Sequence, residues 1–98
     1  MAREKMIKTL LNEFIENNKL DFSGVGSDLN GNCVILAGYL CYLLDERDLT
    51  SGDGDDAIIQ LKLSADATKE LDRVFAYAYI SSYERWWRSD EAKAQYKF

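Results

Sequence analysis

The chain has no histidine and no proline among its 98 residues, and only two cysteines. Without histidine it lacks the commonest general base and metal ligand, and the side chain that titrates near neutrality. Ser-His and Cys-His nucleophile pairs are therefore excluded. So is a Cys/His zinc site, because two thiolates alone are too few for a structural one. The absence of proline suits helices joined by short connections. No apolar run approaches the ~20 residues of a membrane span. The opening Met1-Ala2-Arg3-Glu4-Lys5 alternates charge and has no signal-peptide core. A cytoplasmic address follows as the expectation.

Cys33 and Cys41 lie in a stretch that reads as helix. Eight residues span about 12 Å along a helix axis, and a disulfide needs Cα atoms within about 7 Å. An intrachain bridge is excluded on that reading, and both thiols are expected in the core.

The charge is scarce in one sense and concentrated in another. Residues 45–56 hold six acids (Asp45, Glu46, Asp48, Asp53, Asp55, Asp56) and one base, Arg47. That local balance of −5 equals the net charge of the whole chain. An acidic surface of this kind repels nucleic acid and suits a basic protein partner. It is not a calcium loop. Counted from Ser51, position 6 is Asp56 and position 12 is Lys62, where an EF-hand needs glycine and glutamate.

Hydrophobic periodicity organises the rest. Met6, Ile7, Leu10, Leu11, Phe14 and Ile15 keep a helical period over residues 3–19, with Asn17-Asn18 as the stop. Residues 20–32, with Gly24, Gly26 and Gly31, read as a loop, and Ser27 or Asn32 offers a cap for the next helix. The run Ser23-Gly24-Val25-Gly26-Ser27 lacks the lysine and glycine spacing of a phosphate loop. Residues 33–44 carry no charge and predict a buried helix by length, although Asn30-Gly31 leaves a strand reading open. Residues 45–56 read as an acidic connection broken by Gly52 and Gly54. Residues 57–63 fit a short helix or, through Ile59, Leu61 and Leu63, a strand. Ser64 with Asp66 starts a long helix running to about Arg88, and Ser89 caps a terminal helix over 90–97.

The last third holds eight of the twelve aromatic residues. As one helix it carries two apolar stripes. Leu71, Val74, Phe75, Ala78, Ser82 and Trp86 form one; Ala76, Ile80, Tyr83 and Trp87 form the other, about 130° away. The first stripe is assigned to the core. The second needs its own cover, from the short helices or from a partner. On the partner reading Trp87 is the anchor, with Tyr83 and Ile80 beside it and Arg85 and Arg88 flanking; tryptophan, tyrosine and arginine are enriched at binding hot spots. Base stacking by Trp86-Trp87 is disfavoured because residues 64–98 are neutral, with six acids and six bases.

The expectation is one all-α domain over 1–98, with three main helices and one or two short ones; the alternative is α+β with 57–63 in a small sheet. No catalytic residues, metal or cofactor are expected. The functional expectation is a small acidic protein-binding module that inhibits or modulates a larger partner. Its alternative is a homodimer using the second stripe, with membrane binding excluded. The profile resembles that of phage-encoded inhibitors and toxin-immunity proteins, in size and charge and through no motif. The candidate site comprises Tyr83, Trp87, Ile80, Arg85, Arg88, Asp53, Asp55 and Asp56.

Overall fold

The uncharged stretch around Cys33 forms the central helix. The computed structural model describes residues 2–24, 27–81 and 83–98, without the side chains of 2–5, 27, 28 and 30. Six helices are assigned there: α1 (Ala2–Asn17), α2 (Ser27–Glu46), α3 (Ser51–Ile59), α4 (Ala65–Ser81), α5 (Glu84–Trp87) and α6 (Asp90–Gln95). No strand occurs among the described residues, so the all-α expectation holds and the sheet alternative does not.

Helix α2 is surrounded. It packs chiefly on α4, with α1, α3 and α5 on its other sides. Its residues Cys33, Leu36, Ala37, Leu40 and Leu44 are buried, and they meet Ile7, Leu11 and Phe14 of α1 and Leu71, Val74 and Phe75 of α4 in one core. The uncharged stretch 33–44 is mostly enclosed by the bundle, with Val34 its exposed residue at 39%. Both thiols are free and buried.

Four boundaries differ from expectation. Helix α2 begins at Ser27 rather than near residue 33, because Leu29 is buried and anchors a polar first turn. Asn32 is thus inside the helix. Ser27's side chain, Val25 and Gly26 lie outside the described residues.

The acidic connection is mostly helical. Asp45 and Glu46 finish α2, and α3 begins at Ser51. The Asp53 carboxylate accepts from the Thr50 backbone N–H at 3.0 Å and the Thr50 hydroxyl at 3.1 Å, a capping arrangement that starts the helix. Gly52 and Gly54 sit within α3 instead of breaking it. Residues Ala57–Ile59 complete that helix, and 60–64 turn.

The third difference is that the long C-terminal helix ends at Ser81, and α5 starts afresh at Glu84. Ser82 lies outside the described residues. Helix α6 starts where expected, with Ser89 Oγ accepting from the Ala92 N–H at 3.2 Å. Fourth, α2 runs past residue 44 to Glu46, whereas α1 stops at Asn17 as expected; both close on left-handed residues that are not glycine, Lys19 (φ 53°) and Asp48 (φ 55°). Leu20 N–H then reaches Ile15 O at 3.0 Å, and Leu49 N–H reaches Leu44 O at 2.8 Å, which completes the Schellman pattern.

Asn18 ties the C-terminus to α1. Its amide donates to Lys97 O at 2.8 Å, and its oxygen accepts the Lys97 N–H at 2.8 Å.

Candidate partner-binding face

The two tryptophans exchange the places expected of them. Trp87 is buried at 4% exposure and Trp86 is 39% exposed. The break after Ser81 resets the helical phase, so the stripes that treat 64–88 as continuous fail at its far end. Trp87 turns onto α2 at Gly38. A Cβ built there would lie 2.4 Å from the indole nitrogen, so only glycine lets the ring sit this close. The ring also meets Phe14 at 5.6 Å, Tyr39 at 5.7 Å and Tyr96 at 5.1 Å. Trp87 is a core residue and cannot anchor a partner from the surface. Trp86 packs edge-on against it at 5.2 Å.

Arg88 is engaged too. Its guanidinium pairs with Asp45 and Glu46 at the end of α2 and lies 5.6 Å from the centre of the Tyr42 ring. Arg85 and Asp56 are exposed, away from the features described next.

Of the remaining expected residues Ile80 is on α4, Tyr83 follows that helix, and Asp53 and Asp55 are on α3. Ser64 caps α4, its Oγ accepting from the Ala67 N–H at 3.2 Å. Ala67, Leu71, Val74, Phe75 and Ala78 turn inward. Tyr77 (62%) and Ile80 (82%) stand in solvent, and Tyr77 meets Tyr83 edge-on at 6.3 Å across the helix break.

Helix α3 lies along this face because of a second glycine contact. A Cβ on Gly54 would lie 2.5 Å from Phe75 Cζ and 2.9 Å from Leu44 Cδ1. The missing side chain admits the Phe75 ring and brings Ser51 and Asp55 beside Ala76, Tyr79 and Ile80. These residues, over Phe75, line a groove of about 240 Å³. On the other side of Tyr79 a second groove of about 250 Å³ is lined by Cys41, Leu44, Asp45, Leu49 and Glu84. Tyr79 forms the ridge between them, its ring 5.9 Å from Phe75.

The grooves carry three carboxylates, from Asp45, Asp55 and Glu84, and no lysine or arginine. Burial, and then the Asp55 carboxylate, hold Asp72 above the usual carboxylate value. Burial foremost, with Glu84 next, pushes the Cys41 thiol up to about 12, so it is a neutral thiol at pH 7 and not a nucleophile. Both grooves fall below the roughly 300–1,000 Å³ of small-molecule sites.

The structure thus brings Ile80 and Asp55 into one groove, with Tyr83 nearby against Tyr77. It leaves Asp53 in its cap and places Trp87 and Arg88 elsewhere. Tyr79 was missed by sequence reasoning although Ala76, Tyr79, Ile80 and Tyr83 stand at i, i+3, i+4 and i+7, the spacing of one helix face. Among the described residues no group of three or more histidine, cysteine or acidic side chains is arranged to hold a metal, and no helix is long and apolar enough to cross a membrane. No protein-family model, curated protein or solved structure matches the chain.

Proposed function

We propose that this chain is a small, acidic, cytoplasmic protein-binding module that inhibits or modulates a larger protein, and that it binds through the exposed face of α4. The observation that carries the reading is Ile80, an aliphatic side chain 82% exposed on the lip of an apolar groove and flanked by tyrosines. Isolated exposed apolar residues are ordinary. Ile80, Tyr77, Tyr79 and Tyr83 instead cluster on a few turns, beside concave surface that an incoming side chain can fill.

The homodimer alternative uses the same apolar side chains but meets a charge problem. An isologous dimer sets one patch against its own copy. Asp55 and Glu84 would then be brought toward the carboxylates of the second copy, with no lysine or arginine in either groove lining, while Asp45 is already paired with Arg88.

The test replaces Tyr77 by the photo-crosslinker p-benzoylphenylalanine in the cells that encode the protein. The expected result is an adduct with a larger protein that is lost when Ile80→Glu is added. The Ile80→Glu change should move the melting temperature by less than roughly 4 °C, since substitutions at such exposed sites lie within about 0.5 kcal/mol. No adduct, or one indifferent to Ile80→Glu, refutes the reading. An adduct of twice the protein's own mass selects the dimer.

A further inference from the structure

Resting on that reading, we infer that the occupant of the α4 face is a basic amphipathic segment of another protein, which lays aliphatic side chains into the groove over Phe75 and sets lysines or arginines against Asp55, Asp72 and Glu84.

Charge selects this chemistry. The first groove is mainly apolar, over the buried Phe75 ring; the second is more polar, with the buried Cys41 and Leu44 among its lining. The acids are on the walls. Asp55 of α3 lines the first groove, and Asp72 of α4 is held above the usual carboxylate value by burial chiefly and by Asp55 after it. Arg73, the base next to Asp72 in sequence, does not answer this pair. Arg73 bonds Glu70 through both ends of its guanidinium, at 3.0 and 2.7 Å. In the second groove Asp45 has Arg88, while Glu84 acts on the buried Cys41. A cationic side chain entering between Asp55 and Asp72 relieves their mutual repulsion, which a neutral or acidic segment does not. A mainly apolar recess over Phe75 beside a more polar one that carries Asp45 and Glu84, with Tyr79 lining both, suits an amphipathic segment of the helix-in-groove kind. A second copy of this acidic chain would bring its own carboxylates to the same place.

The experiment uses the full chain, isotopically labelled, and two synthetic 16-residue helical probes. One carries leucines on one face flanked by lysines; the other has the same leucines flanked by glutamates. The lysine probe is expected to shift the amide signals of Ser51, Asp55, Ala76, Tyr79 and Ile80, and to bind about tenfold more tightly than the glutamate probe at low salt. The advantage should shrink as salt is raised toward 0.5 M. The exposed double variant D55N/D72N should reduce the lysine probe's binding several-fold with its circular dichroism unchanged. Leucine-to-serine replacement in the lysine probe should abolish the shifts.

The inference is overturned if the lysine probe does not bind, if both probes bind alike, or if its shifts fall off the α4 face. It is also overturned if D55N/D72N binds the lysine probe like the parent. If any of these occurs while the Tyr77 crosslink is formed and is lost with Ile80→Glu, the face is a docking site for a partner of other chemistry. If the crosslink fails as well, the functional reading falls with it.

Discussion

Substituting Gly54 and Gly52 by alanine, two residues apart in α3, should change stability in opposite directions. Helix propensity alone favours alanine over glycine by about 0.8–1 kcal/mol at an interior position. At Gly52 nothing opposes that gain: the added Cβ comes no closer than 3.6 Å to a neighbour, the Thr50 hydroxyl. G52A is expected to stabilise by about 0.5 kcal/mol, less than the interior value because the site lies in the first turn. At Gly54 the Cβ would stand 2.5 Å from Phe75 Cζ, 2.9 Å from Leu44 Cδ1 and 3.0 Å from Phe75 Cε2. Phe75 and Leu44 are each 1% exposed, so neither has free space to move into. Overpacking costs about 1–3 kcal/mol; a contact of 2.5 Å puts this one in the upper part, about 2–3, and with the propensity gain of about 1 subtracted G54A should destabilise by ~1–2 kcal/mol. In a domain of this size that is a melting-temperature drop of roughly 4–16 °C. Urea unfolding followed by circular dichroism measures both variants, provided the slope with denaturant stays that of the parent. A G54A protein as stable as the parent, or more so, would refute the claim that α3 is docked through the missing side chain.

Two further outcomes follow from burial. Trp87→Ala should cost about 3–5 kcal/mol and Trp86→Ala under about 1.5 kcal/mol, measured by the same unfolding titration; equal costs would sink the assignment of Trp87 to the core. Burial pushes Cys33 up to about 11 and Cys41 and Tyr39 up to about 12. Because these folded values are raised, the stability they contribute is fully present below pH ~8.5, where the unfolded thiols still hold their protons. It is lost as the pH rises through 9 toward 12. Native protein at pH 8 should therefore leave Ellman's reagent unreacted until denaturant is added, and a prompt reaction of either thiol would contradict the buried placement.

The parts of this fold legible in the sequence are those carried by uninterrupted periodicity. Helix α1 keeps its Ile7–Leu11–Phe14 spacing, and α2 keeps its uncharged run. The buried stripe of α4 through Leu71, Val74, Phe75 and Ala78 is where its spacing puts it. Errors enter where a local feature resets the phase. Helix α4 stops at Ser81 and α5 starts at Glu84, and treating 64–88 as one continuous helix exchanges Trp86 with Trp87. The Thr50-x-x-Asp53 spacing ahead of Ala57 and Ile58 is a capping signal that composition hides, because three aspartates and two glycines make the segment look like loop. The C-terminal residues of α1 and α2 lack the usual glycine marker, since lysine and aspartate occupy the left-handed positions at a cost of about 1 kcal/mol each. Gly38 and Gly54 carry the least visible information. A glycine inside a helix signals close approach, but which ring approaches is a tertiary fact.

The three aspartates of α3 show why the candidate site has to be separated residue by residue. Asp53, Asp55 and Asp56 share one acidic stretch, and adjacent helical positions point about 100° apart. Asp53 turns back to Thr50 and holds the start of the helix. Asp55 turns toward Ala76 and Ile80 and lines the groove. Asp56 turns to solvent. Reversing all three charges together would loosen the cap and alter the groove at once, and the lost binding could not be read as electrostatics. Gly54 stands between them with its own coupling: the contact that seats Phe75 is the one that sets Asp55 beside Ile80, so a change there moves core and groove together. Ile80 and Asp55 are different. Neither holds a buried contact or a cap, so their effects on binding can be measured against an intact fold. A face whose shape depends on the core but whose recognising side chains do not is one in which partner preference can change by surface substitution alone.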